Sequence, residues 1–216
     1  HRHGFHFECV RERLVRDRHP AWSKIVALLP LLESGRFDWV FWVDADAAIL
    51  NPAIDIRSLL PAGKDLLFAS DFNGLCAGVF AARACPWTID FFRAVWGAGT
   101  LGHDPDGMGD KWEQTTIKHL LAHFPEHSPH VAFARDTDMN SSWSAYRPGH
   151  FIVHLGAMSN ADRLRMLRGI QAESSDGLAE ERSDWSDHAW YEFRSQHLET
   201  LHRPGSQAFV RPPRLG

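Results

Sequence analysis

The stretch Phe41-Trp42-Val43-Asp44-Ala45-Asp46-Ala47 decides the fold, because an apolar run ends there in two carboxylates one residue apart. Residues 40–43 are bulky and apolar, which is typical of a strand buried on both faces of a parallel sheet. Alternate residues of a strand share a face, so Asp44 and Asp46 are expected to point the same way, with Cα atoms roughly 6–7 Å apart. Open α/β sheets bind ligands at the carboxyl ends of their strands, so the pair predicts a divalent cation that in turn holds a diphosphate.

An Asp-x-Asp triplet also has a purely structural interpretation. Aspartate commonly caps helices and opens turns after strands, and Asn51-Pro52 soon afterwards is typical of a turn. The cation site therefore depends on ligands supplied elsewhere in the chain.

Composition limits the classes of protein to consider. The 216 residues suit one globular domain, and 44% hydrophobic residues suffice for a sizeable core. A net charge of −4 without any basic block argues against a nucleic-acid partner. No stretch reaches the roughly 18 apolar residues of a membrane span. The three cysteines have no metal-like spacing and predict no disulfide framework.

Apolar periodicity alternates between strands and helices along the chain, which predicts an α/β fold with a mainly parallel sheet and helices on both faces. Pro30 is expected to kink or end the first helix, and Gly97 to end the second. The dinucleotide-binding fingerprint G-x-G-x-x-G is absent. A nucleotide site would therefore have to bind phosphate in another way, and a metal held by the paired aspartates is one. Strands are predicted at 5–10, 39–43, 65–69, 131–134 and 151–154, and helices at 22–32, 86–96, 110–124 and 185–202.

Six short motifs follow one another between residues 22 and 156, most of them after residue 24. They are Trp22-Ser23-Lys24, the stretch 39–47, Asn73-Gly74-Leu75-Cys76-Ala77-Gly78-Val79-Phe80, Trp87-Thr88-Ile89-Asp90, Glu113-Gln114, and Gly149-His150-Phe151-Ile152-Val153-His154-Leu155-Gly156. This ordered series resembles glycosyltransferase family 34, the galactosyl, xylosyl and mannosyl transferases that include yeast α-mannan and α-galactosyl enzymes and plant xyloglucan xylosyltransferases.

The resemblance implies a GT-A fold, a nucleotide-sugar donor such as UDP-galactose or UDP-xylose, a glycan acceptor and an α-linkage made with retention. It implies a Mn²⁺ (or Mg²⁺) cofactor. The matching metal ligands are Asp44, Asp46 and His154. The matching substrate-binding residues are Lys24 near the diphosphate, Asn73, Gly74 and Leu75 lining the sugar pocket, and Gly156 in the last motif. The catalytic pair near the anomeric carbon matches Glu113 and Gln114.

Two of these residues have structural alternatives, and two aromatic residues are added as candidates for binding the sugar. Glu113 stands three residues after Asp110, which is the spacing of a capping box. His154 on a strand is, by itself, more often a core or edge histidine. Trp143 and Tyr146, in the loop before the last strand, are candidates for stacking on a sugar.

The sequence departs from the family in three places. The family usually has aspartate where Glu113 stands, and its plant members have a lysine shortly after the metal histidine, which residues 157–160 lack. The strand that normally helps to hold the nucleotide base is expected upstream of residue 1. We therefore expect a GT-A domain over residues 1–170, followed by a C-terminal helix and tail at 171–216.

Two chemical routes and two rival functions stay open. Retention can proceed by attack on the leaving-group face, with Gln114 or Glu113 stabilising a cationic sugar, or through a glycosyl-enzyme with Glu113 as nucleophile; we favour the first. The rivals are a non-catalytic nucleotide-sugar-binding module and a metal-dependent phosphohydrolase. The oligomeric state, with a homodimer among the options, and the cellular compartment are left open.

Overall fold

The computed structural model describes residues 3–71, 74–100, 112–135, 137–147, 149–156 and 158–173. The chain divides into two compact units, one comprising His1–Tyr146 with His150–His154, the other Arg147–Gly149 with Leu155–Gly216. Residues 174–216 lie outside the described residues. The division expected at residue 170 and the helix expected at 185–202 therefore stay predictions.

The first unit contains seven described strands. They are β1 (Trp39–Val43), β2 (Ala47–Ile49), β3 (Leu66–Asp71), β4 (Gly74–Arg83), β5 (Val131–Phe133), β6 (Ser141–Ser142) and β7 (Ile152–His154). A four-stranded sheet has the order β1-β4-β3-β5, and a three-stranded sheet has the order β2-β7-β6.

The pairing in both sheets is mixed rather than mainly parallel. Strands β1 and β3 both run antiparallel to β4, while β3 and β5 run parallel. In the small sheet β2 is antiparallel to β7, and β6 is parallel to it. Only two residues separate β3 from β4, and such a short connection forces an antiparallel pair. The α/β class is confirmed, with this correction to the strand directions.

Three helices of the first unit pack on one face of the large sheet. They are α1 (Ser23–Glu33), α2 (Pro86–Ala98) and α3 (Glu113–His123). Their apolar residues share one core with alternate strand residues such as Phe68 and Phe80. The opposite strand residues, such as Leu67 and Val79, pack in a second core with Phe151 of the segment that leads into β7. Within the described residues of the first unit, helices thus cover one face only, and the small sheet and its loops cover the other.

Several element boundaries differ from the prediction. Residues 5–10 form no strand. Helix α1 continues through Pro30 to Glu33, and α2 continues through Gly97 to Ala98. Gly99 ends α2 with a φ of +64°, a left-handed conformation that glycine adopts without steric cost.

An irregularity in β4 prepares the site. Phe68 and Ala69 are adjacent on β3, yet they pair with Phe80 and Cys76 of β4. The three residues between those partners, Ala77-Gly78-Val79, therefore bulge away from β3. Bulges of this kind re-aim backbone groups and are common beside active sites.

The second unit contains helix α4 (Asn160–Glu173). Ser159 caps its start, accepting a hydrogen bond from the backbone N–H of Asp162 at 3.2 Å. Arg163 donates to the carbonyl of Leu155 at 3.1 Å. Across the described residues of both units, no helix combines the length and apolar character that crossing a bilayer requires.

Candidate metal centre

The two aspartates lie in a tight turn that joins β1 to β2. Strand β1 ends at Val43, and the backbone N–H of Ala47 closes the turn by donating to the carbonyl of Asp44 at 3.0 Å. The N–H of Asp44 donates to the carbonyl of Gly78 in the β4 bulge at 2.8 Å. The carboxylates converge because of this turn, and not because they alternate along a strand as the sequence suggested.

Strand pairing brings His154 to the same turn. In the antiparallel β2–β7 pair, His154 lies opposite Ala47, the residue that follows Asp46. Its Nε2 lies 3.2 Å from an Asp46 oxygen. One ligand atom from each of Asp44, Asp46 and His154 falls within 4.8 Å of the others. Asp46 and His154, which are 108 positions apart in the sequence, thus lie in one cluster.

Gly78 leaves the room that this cluster needs. A Cβ at this position would lie 2.3 Å from Cε1 and 3.0 Å from Nε2 of His154, and 3.2 Å from an Asp44 oxygen. A side chain on residue 78 would therefore occupy the space of the ligands. Two carboxylate oxygens and one imidazole nitrogen around this cradle fit a divalent cation such as Mn²⁺, since hard oxygen donors suit Mn²⁺ and Mg²⁺ and imidazole suits transition metals.

The neighbours of His154 determine its protonation. Burial tends to lower the pKa of His154, but hydrogen bonds with Asp46 and Cys76 outweigh it and raise the pKa to about 10. The Cys76 sulfur lies 3.5 Å from Nδ1. A cation that binds Nε2 must therefore displace a proton from it, as is usual for histidine ligands.

Lys24 lies beneath the cluster and is only 5% exposed. Its ammonium lies 3.1 Å from an Asp44 oxygen and 2.9 Å from a Glu113 oxygen, and it donates to the carbonyl of Ala77 at 2.8 Å. Burial works to lower the pKa of Lys24, but the two carboxylates outweigh it and raise the pKa above its usual value. The three partners match the three N–H donors of an ammonium, so Lys24 joins α1, the aspartate turn, the bulge and α3.

Trp42, which the sequence predicts to be a core residue of β1, also contributes to the site. Its ring stacks on Phe80, yet its Nε1 donates to an Asp44 oxygen at 2.6 Å. Both oxygens of Asp44 are thereby oriented, one by Trp42 and the other by Lys24. The two-residue spacing between Trp42 and Asp44 was a usable signal, because neighbours at that spacing lie on the same side of an extended chain.

The predicted catalytic pair opens helix α3. Trp112 is the N-cap, with a φ of +51°, so Glu113 takes the first helical position and not the third position of a capping box. Its proposed partner Asp110 lies outside the described residues. Glu113 is buried against Lys24, and Gln114 accepts a hydrogen bond from the N–H of Ala77 at 2.8 Å. Both side chains thus reach the hydrogen-bond network around the candidate ligands Asp44, Asp46 and His154.

The other predicted substrate contacts have different surroundings. Asn73 lies outside the described residues. Gly74 is exposed at the start of β4, but the Leu75 side chain belongs to the hydrophobic core. Trp143 and Tyr146 are each 7% exposed, and a buried ring offers no open face, so the structure does not support sugar stacking by either. Gly156 lies in the second unit, and its role stays a prediction.

Sequence comparisons point to one family. Residues 1–66 match the model of the galactosyl transferase GMA12/MNN10 family, numbered 34 among the glycosyltransferases. The chain is 30% identical over 129 residues to a probable glycosyltransferase 6 of Oryza sativa subsp. japonica, which covers 49% of this chain and 26% of the relative. It is 24% identical over 201 residues to an uncharacterized alpha-1,2-galactosyltransferase of Schizosaccharomyces pombe. That alignment covers 71% of this chain and 52% of the relative. A galactomannan galactosyltransferase 1 of Cyamopsis tetragonoloba is 23% identical over 139 residues. This alignment covers 58% of this chain and 32% of the relative. The chain therefore spans about a quarter to a half of the length of these relatives.

A solved structure shares the fold. It is a glycosyltransferase involved in the glycosylation of the major capsid of PBCV-1, with a TM-score of 0.58 and 16% sequence identity. The match covers 73% of this chain and 80% of that one. The predicted GT-A α/β fold is confirmed at this level.

Proposed function

We propose that the chain is a metal-dependent retaining glycosyltransferase of the galactosyl transferase GMA12/MNN10 family, whose model matches its residues 1–66. It would transfer a hexose or pentose from a nucleotide-diphosphate sugar to a glycan acceptor, forming an α-linkage. The observation that carries the proposal is the convergence of Asp44, Asp46 and His154 around the cradle of Gly78. Names of the relatives favour galactose as the transferred sugar.

Three residues would hold the cation, namely Asp44, Asp46 and His154. When bound, a divalent cation neutralises the charge that develops on the departing diphosphate and orients it. Trp42 and Lys24 fix the two oxygens of Asp44 before substrate arrives, so the Asp44 carboxylate is preorganised for the cation.

Burial of Glu113 bears on how the anomeric configuration is retained. The Glu113 carboxylate is 4% exposed and one of its oxygens pairs with Lys24. A nucleophile must reach the anomeric carbon directly, and this buried ion pair does not favour such an attack. The arrangement supports transfer on the leaving-group face, with Gln114 beside the cationic sugar and the diphosphate accepting the acceptor proton.

The direct test is a donor screen with purified protein. UDP-galactose, UDP-xylose, UDP-glucose and GDP-mannose are each incubated with Mn²⁺, and release of free nucleotide diphosphate is measured with and without a glycan acceptor. We expect turnover of one donor, abolished by EDTA and restored by excess Mn²⁺. Tight cation and UDP binding without turnover of any donor would favour the non-catalytic module, and release of phosphate from simple esters would favour a phosphohydrolase.

Asp46→Asn is expected to lower transfer by about 100-fold or more, since even residues that merely support metal ligands cost 10–100-fold. The substitution keeps the shape of the side chain but removes a charged ligand beside His154, while the contacts of Lys24 with Asp44 stay intact. Initial rates at saturating Mn²⁺ measure the effect. Asp90→Asn is the matched control, because Asp90 is an exposed carboxylate of α2 paired with Arg93. Equal rates for Asp46→Asn and wild type would refute a catalytic cation at this site.

A further inference from the structure

Behind the metal ligands lies a buried thiol that the proposed chemistry does not use. Cys76 is 3% exposed and belongs to β4, two residues before Gly78. Its sulfur lies 3.5 Å from Nδ1 of His154, on the opposite side of the imidazole ring from the nitrogen that faces Asp46. The thiol is therefore not in the ligand cluster but directly behind one of its members.

The neighbours of the sulfur indicate which way the hydrogen bond runs. Asn140, 2% exposed, has its amide nitrogen 3.8 Å from the Cys76 sulfur. An amide nitrogen only donates, so the sulfur is the acceptor in that contact. A His154 that binds a cation through Nε2 keeps its single proton on Nδ1, and that N–H also needs an acceptor. The sulfur lies within reach to accept both.

We propose that Cys76 is a positioning residue for the metal ligand His154. Its sulfur accepts the Nδ1–H of His154, which leaves the Nε2 lone pair directed at the cation and prevents the ring from rotating. The role rests on the proposed function of the Asp44-Asp46-His154 site. Metal-binding histidines usually have such a partner on the second nitrogen, most often a carboxylate, carbonyl or water, and a thiol replaces it here.

Packing is the competing explanation, because Cys76 also belongs to the second hydrophobic core. Two substitutions separate the explanations. Cys76→Ser keeps an acceptor for both N–H groups but puts a hydroxyl in an apolar core, whereas Cys76→Val keeps an apolar side chain and removes the acceptor. A positioning role predicts that metal affinity follows the acceptor, and a packing role predicts that it follows core stability.

The experiment measures Mn²⁺ dissociation constants from the electron paramagnetic resonance signal of free Mn²⁺, without donor or acceptor, and urea unfolding of the same proteins. We expect Cys76→Val to weaken Mn²⁺ binding by about 10–100-fold, and Cys76→Ser to stay within a few-fold of wild type, because supporting partners of metal ligands contribute that much. Urea unfolding is expected to show Cys76→Ser as the less stable of the two. The order of the two variants in Mn²⁺ affinity is thus expected to be the reverse of their order in stability.

A second cysteine supplies the control. Cys85→Ser alters a thiol that lies 3.3 Å from Thr88 in the first turn of α2, away from the metal ligands, and should leave Mn²⁺ affinity unchanged. Cys76→Val with wild-type Mn²⁺ affinity, or Cys76→Ser binding more weakly than Cys76→Val, would overturn the positioning role. A wild-type protein that bound no Mn²⁺ would instead overturn the proposed function, and the inference with it.

Discussion

Replacing Gly78 with alanine is expected to weaken Mn²⁺ binding by about 100-fold or more, since displacing a ligand should exceed the 10–100-fold effect of losing a ligand's supporting partner. The new Cβ would lie 2.3 Å from Cε1 of His154, a separation that real Cβ atoms essentially never show. The backbone of residue 78 is held by the hydrogen bond from Asp44, so the imidazole ring has to move. Its displacement removes Nε2 from the ligand cluster. Transfer should fall together with cation affinity.

Gly97→Ala is the matched control for this variant. Gly97 lies in the last turn of α2, and a Cβ there would meet no atom within 4 Å. Alanine is a better helix former than glycine, so this change should leave Mn²⁺ affinity unchanged and stabilise the fold by up to about 1 kcal/mol. Mn²⁺ titration and urea unfolding of both variants test the difference. A Gly78→Ala protein that bound Mn²⁺ like wild type would show that the ligands do not converge at this cradle.

The ligands of the proposed metal centre could be predicted because each follows from a short, ordered pattern. Asp44 and Asp46 end an apolar run, and His154 ends another. Their convergence was reached through the resemblance to glycosyltransferase family 34, because sequence spacing alone cannot bring together residues that are 108 positions apart. The physical route is the β2–β7 pair, and β2, with only three residues, was too short to give a periodic signal.

The network beneath the ligands was only partly predictable. Lys24 matched a family position near the diphosphate, but its burial between Asp44 and Glu113 depends on how α1 and α3 pack on β4. The bulge at Ala77-Gly78-Val79 was likewise not readable, since register is set by pairing with β3 and not by the local sequence. The helix ends lie close to the prediction, since α1 ends one residue after the predicted 22–32 and α2 ends two residues after the predicted 86–96.

Lys24→Met is expected to destabilise the protein by about 3–5 kcal/mol, because removing one partner of a buried ion pair leaves the other charge unpaired. Lys24 and Glu113 are 5% and 4% exposed, so water cannot replace the lost ammonium. The second Glu113 oxygen is buried and, within the described residues, has no hydrogen-bond partner, so the carboxylate depends heavily on Lys24. Urea unfolding measures the change in the free energy of unfolding.

A double substitution separates the charge effect from the loss of packing. Lys24→Met with Glu113→Gln removes both charges of the pair, so it should recover a large part of the stability that Lys24→Met loses. Lys64→Met, which removes an ammonium that donates to the carbonyl of Ser128, should cost little by comparison. If the double variant were as unstable as the sum of the two single variants, Lys24 and Glu113 would not be energetically coupled. If the double variant recovered stability but not Mn²⁺ affinity, Lys24 would also have a role in cation binding. Asp44 would then still lack the hydrogen-bond donor that orients its carboxylate.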